Sequence, residues 1–153
     1  MNLRKSVIAL ASMALLHAVA IYAQEPHAVV LPESAVKQLS SCSRPTPKPE
    51  GAWTPSESIV ATMESHLDEI TNLQSKGNQE SGQAIHPRTA YRQYLGIIIQ
   101  GQRYVYINAA CARLSADWQH RFLDVCDGGA CFWGVLYNVQ TGHFSDLQTN
   151  GLA

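Results

Sequence analysis

Four cysteines, Cys42, Cys111, Cys126 and Cys131, constrain this chain more than any other feature, because they lie behind an N-terminal segment laid out like a secretory signal peptide. Arg4 and Lys5 precede an apolar run from Val7 to Leu16, and small residues follow, ending in Ala18-Val19-Ala20. The apolar stretch is short, is interrupted by His17 and has no stop-transfer charges after it. Cleavage after Ala20 or Ala23 is therefore expected, rather than a permanent membrane span. Cys42 lies too far downstream to be a lipid-attachment site. An even number of cysteines in a small exported domain reads as two disulfides, formed in a periplasm or outside the cell. Zinc is disfavoured, since the C-x14-C-x4-C spacing lacks the close C-x2-C pairs of structural sites.

Residues 1–23 are thus read as a signal peptide, which leaves about 130 residues, enough for one modest core. Loss of Arg4 and Lys5 leaves nine basic against twelve acidic side chains, a net charge near −3 with no basic block. Nucleic acid is not an expected partner.

Residues 24–53 read as a proline-rich arm or linker. The alternate prolines of "SRPTPKPEG" forbid helix and favour an extended, solvated path. Within the arm, "LPESAVKQLSSC" has the composition for two helical turns, with Pro32 near the start. A single α+β domain is expected over residues 54–153. Its helix begins at Thr54-Pro55, where Glu57 completes a T-x-x-E capping box. Ile59, Met63, Leu67, Ile70 and Leu73 form one apolar stripe at three- and four-residue spacing, and Gly77 is a suitable stop.

Beyond a polar loop over Asn78–Pro87 the pattern changes to strands. "YRQYLGIIIQ" and "RYVYINAACA" are β-branched and aromatic, and Gly101-Gln102 between them suits a type II′ hairpin turn. That turn pairs Ile99 with Tyr104 and Ile97 with Tyr106, and puts Ile98, Val105 and Ile107 on the other face. One face is expected to cover the helix, and the other to be a binding surface or to lie under the arm. Two more hairpins are expected: "RFLDVC" with "CFWGVLYN" around Asp127–Ala130, and "LYNV" with "HFSDL" around Gln140-Thr141-Gly142. The expected fold is one amphipathic helix packed on a four- to five-stranded antiparallel meander, preceded by the proline-rich arm.

The region "VCDGGACFWGVLYNVQTGHF" is the densest in chemistry-bearing residues. One disulfide pattern closes Cys126 on Cys131 at the mouth of a hairpin loop. A second joins Cys111 to Cys126 and Cys42 to Cys131. The two rank equally, and the remaining pattern ranks well behind them. Redox chemistry would need a C-x-x-C pair and a stabilised thiolate, and calcium would need alternating oxygen ligands with a distal glutamate; neither is present. Asp and Gly are the residues tight turns use. Phe132, Trp133, Tyr137 and Phe144 alternate along strands, as packing residues do, whereas Trp118 in the polar run "SADWQH" is expected to be exposed. His86, His120 and His143 show no metal-ligand spacing, and neither Ser115-Ala116-Asp117 nor Ser145-Asp146 has a nucleophile-elbow pattern. No catalytic residue, cofactor or metal is assigned.

With its C-D-G-G, F-W-G-V-x-Y, T-G-x-F and N-G motifs, the stretch from Tyr91 to Ala153 resembles the C-terminal part of a group of bacterial exported proteins. The helix-then-meander layout resembles cystatin-like, PepSY-like and periplasmic inhibitor domains. The frame of Cys126 and Cys131 is similar to the C-x4-C loop of the periplasmic inhibitors of vertebrate-type lysozyme. Those loops carry a histidine that enters the enzyme cleft; here the inner residues are Asp127, Gly128, Gly129 and Ala130. The resemblance implies an inhibitor-like hairpin in which Asp127 makes hydrogen bonds in a partner's cleft.

The leading expectation is a non-enzymatic exported module that binds a protein or envelope component through Asp127, Gly128, Gly129 and Trp118. A small-ligand carrier or hydrolase, with Asp124, His120 or Tyr137 in a pocket between helix and sheet, is the first alternative. A structural envelope protein is the second.

Overall fold

The computed structural model describes residues 27–73 and 84–152, so the leader and the Gly77 helix stop lie outside the described residues. Four strands form the expected antiparallel meander: β3 (Tyr91–Ile99), β4 (Gln102–Ala110), β5 (Phe132–Asn138) and β6 (Phe144–Thr149). Two short strands complete a six-stranded sheet: β1 (Ala28–Val30) is parallel to the start of β3, and β2 (Gly51–Trp53) is antiparallel to its end. Residues 28–30 and 51–53 of the arm are therefore docked on β3, while Pro45, Lys48 and Glu50 between them are exposed and the stretch 45–50 forms no helix, as the alternate prolines require. The close approach of β2 depends on Gly96, where a Cβ would lie 2.0 Å from the Trp53 carbonyl oxygen. Between the two strands, Glu33–Gln38 forms the expected short helical segment, as a 3-10 helix with Pro32 at its cap position.

The helix α1 runs from Glu57 to Ser65, and its cap is Ser56, whose Oγ accepts from the Ile59 amide at 3.4 Å. Thr54, the expected cap, instead donates its hydroxyl to Glu33. The helix changes to a 3-10 segment, Leu67–Asn72, after His66. Thr62 and Ser65 bond back to carbonyls of the preceding turn, and the His66 ring also meets the Thr62 carbonyl, contacts that compete with regular α-helical bonding. The apolar stripe survives the change. Met63, Leu67 and Ile70 are fully buried against Tyr94, Val105, Ile107, Trp133 and Val135.

In the first hairpin the turn is Gln100-Gly101, with φ of 50° and 72°, rather than Gly101-Gln102. Positive φ at both central residues is what a type I′ turn requires. The pairing slides by two residues, to Ile97 with Tyr104 and Leu95 with Tyr106. A slip of two preserves the faces, so every apolar side chain stays on the side expected for it. The last hairpin forms with Gly142 at φ 72°, but its loop is four residues long, 139–142, instead of three. The Asn138 amide donates to the His143 carbonyl and Tyr137 pairs with Phe144. The middle one does not form: residues 112–128 make no strand, and β5 pairs with β4 on one side and β6 on the other.

The second face of the sheet, carrying Leu95, Ile97, Tyr106 and Leu136, is covered by Leu31 and Ala35 from the arm and by Phe122 from the long connection. Of the two outcomes expected for this face, the covered one is observed.

Candidate functional site

The register of β4 on β5 places Ala110 beside Phe132, so the next pair outward is Cys111 with Cys131. The Cys111 amide donates to the Cys131 carbonyl at 2.9 Å and the two side chains form a disulfide. The other bond joins Cys126 to Cys42 in the arm. This is the pattern ranked last from the sequence. With no hairpin closing over Asp127–Ala130, Cys126 and Cys131 do not face one another, and each is free to bond elsewhere.

The connection between the disulfides has little regular structure, and its buried backbone groups need partners. Three side-chain amides supply them. Gln93 and Asn108 rise from β3 and β4 on the second face, and Asn150 follows β6; all three are buried. Gln93 donates to the carbonyls of Trp118 and Arg121, while its own oxygen accepts from the Leu123 amide at 2.9 Å. Asn108 donates to Gln93 and to the Leu123 carbonyl, both at 2.9 Å. Asn150 donates to the carbonyls of Val125 and Asp127.

Arg44, only 5% exposed, joins the two asparagines by donating to the side-chain oxygens of Asn108 and Asn150. The guanidinium thus meets side-chain amides where a buried cation would ordinarily meet a carboxylate. It fastens the arm and the long connection to the sheet through one charged group.

The segment Cys126–Cys131 lies against this scaffold with both ends covalently held. Asp127 and Gly128 are exposed; Gly129 and Ala130 are buried. Gly128 has φ 95°, and a Cβ there would lie 2.6 Å from the Phe132 ring, so both backbone and space call for glycine. The Gly129 amide donates to the Gly151 carbonyl at 3.0 Å, and the Gly151 amide to Ser43 Oγ at 2.8 Å. The chain terminus and the arm thus brace the segment from below.

Trp118 is not part of the exposed surface. It is 1% exposed and packs edge-on against Tyr91, with ring centroids 5.4 Å apart, while Tyr91 stacks on His27. Its polar neighbours Asp117 and His120 point outward, and the connection folds so that Trp118 seals the end of the sheet. Trp118 therefore does not share an exposed surface with Asp127 and Gly128.

The hydrolase set is not assembled either. His120 and Asp124 lie on the connection over the second face, whereas Tyr137 is buried in the helix-side core beside Phe144. Among the described residues no group of three His, Cys, Asp or Glu side chains is placed to hold a metal ion, and no helix is long and apolar enough to cross a membrane. The residues missed in the sequence, Gln93, Asn108, Asn150 and Arg44, are those that hold the segment in place. No family model, curated protein or solved structure matches the chain.

Proposed function

We propose that the chain is an exported, non-enzymatic binding module that presents the Cys126–Cys131 segment to a protein partner in a periplasm or outside the cell. The observation that carries this reading is the double anchoring of six residues by disulfides to two different parts of the fold. A segment already fixed in shape loses little conformational entropy on binding, which is how inhibitor-like loops reach useful affinity. Asp127 supplies an exposed acceptor beside the exposed Gly128. The disulfides and the leader-like N-terminus support an oxidising compartment.

The test is site-specific photo-crosslinking in envelope and secreted fractions of the producing cell. A photoreactive residue at position 127 is expected to give a discrete, saturable protein adduct, and the same residue at the exposed helix position 57 to give none. Absence of an adduct at 127, or the same adducts from both positions, contradicts the proposal.

A further inference from the structure

We infer that a cavity beside the anchored segment is a binding site for a small, uncharged ring compound of one or two fused rings. It holds about 450 Å³, within the range of sites that take small organic molecules. Buried Trp133, Ala90 and Ala130 line it, together with the Cys111–Cys131 disulfide and the exposed residues His86 and Thr89. The space exists because the alanines are small: longer side chains at positions 90 and 130 would fill it against Trp133.

The lining selects the ligand. No Asp, Glu, Lys or Arg lines the cavity among the described residues, so an ionised compound would lose hydration without gaining a counter-charge. The Cys111–Cys131 disulfide offers polarisable surface, and sulfur contacts with ring edges are favourable, while the buried Trp133 closes the floor. The His86 ring can donate or accept, and Thr89 Oγ1, which donates to the His86 carbonyl at 3.5 Å, retains acceptor capacity, which gives one hydroxyl of the ligand a partner. Asp127 and Gly128 do not line the cavity, but Ala130 and Cys131 of the anchored segment do, so the two sites share one wall.

The experiment is a titration of the oxidised protein with 4-methylphenol, followed by amide chemical shifts. Saturable shifts are expected, confined to the chain around positions 84–90, 111 and 130–133. Ala84→Phe, at an exposed position of the lining, is expected to weaken binding about tenfold by occupying the space, and Thr89→Leu to do so from a second exposed position. The second variant carries the test if the first fails to fold. The ionised analogue 4-methylbenzoate is expected to bind about tenfold more weakly than the phenol. Non-saturating shifts scattered over the surface, undiminished affinity in the folded variants, or equal affinity for the benzoate would overturn the inference.

Discussion

The two faces of the sheet are covered by opposite means. On one, a helix lays an apolar stripe, Met63, Leu67 and Ile70, over Val105, Ile107 and Val135, and burial of hydrocarbon holds the layers together. The polar exception sits at the edge, where Arg92 reaches Glu64, the Tyr94 hydroxyl and three carbonyls, fixing the helix to β3. On the other face the cover has few regular elements, a smaller apolar cluster, and a network of Gln93, Asn108, Asn150 and Arg44 flanked by two disulfides. A helix satisfies its own interior backbone, so its cover need only be apolar; an irregular chain does not, so its cover must bring amides and covalent ties. The second solution lets the chain hold a shaped, irregular segment such as Cys126–Cys131 with Asp127 and Gly128 exposed.

The largest effect should come from the disulfide between face and arm. Replacing both Cys42 and Cys126 by Ser opens a link with sequence separation 84, for which the chain-entropy model gives about 4–5 kcal/mol, against about 3 kcal/mol for Cys111–Cys131 with separation 20. Denaturant unfolding under non-reducing conditions measures both, and equal losses would remove the distinction. On the helix side, Leu67→Ala should cost about 3 kcal/mol through a cavity in the filled layer. Its amide-exchange signature should be loss of protection in α1, with the connection unaffected.

Asn108→Ala should cost about 2 kcal/mol, because it leaves the Leu123 carbonyl and one arm of Arg44 without partners. Here exchange should rise over residues 118–125 while α1 stays protected, which is the reverse pattern. If both variants loosened both covers equally, the two faces would not be separate structural solutions.

The smallest effect concerns pH. Burial, the leading cause, holds the Tyr94 hydroxyl above its ordinary value of 10.0, partly opposed by the Arg92 charge and reinforced by Glu64. A raised folded-state value means that the stability contributed by neutral Tyr94 is complete below the ordinary tyrosine range and is lost as pH rises through the higher value. The unfolding free energy of the parent protein should therefore decline above about pH 10. Tyr94→Phe should show a shallower decline, and an unchanged slope would assign the titration to another group.

The helix-covered face was legible because it obeys a period. Ile59, Met63, Leu67, Ile70 and Leu73 repeat as a helix must, the strands alternate, and Gly142 marks its own turn. The cover of the other face has no period to read. "SADWQH" looks like a solvated loop because its neighbours are polar, yet Trp118 turns inward. The disulfide pattern was hidden for the same reason, since it depends on where residues 112–128 cross the sheet. One signal for that cover is present in the sequence: Gln93 lies in phase with Leu95 and Ile97, and Asn108 with Tyr106, so the strand alternation places two amides on a buried face. Buried amides at strand positions announce that irregular backbone will pack on them.

Disulfide mapping of the oxidised protein after digestion on the N-terminal side of aspartate is the most direct test of the doubly anchored segment, because cleavage before Asp127 separates Cys126 from Cys131. The short peptide ending in Cys126 is expected linked to the peptide containing Cys42, and the peptide beginning at Asp127 to the one containing Cys111. A bond from Cys126 to Cys131, or from Cys111 to Cys126, would contradict the doubly anchored segment and the binding role built on it.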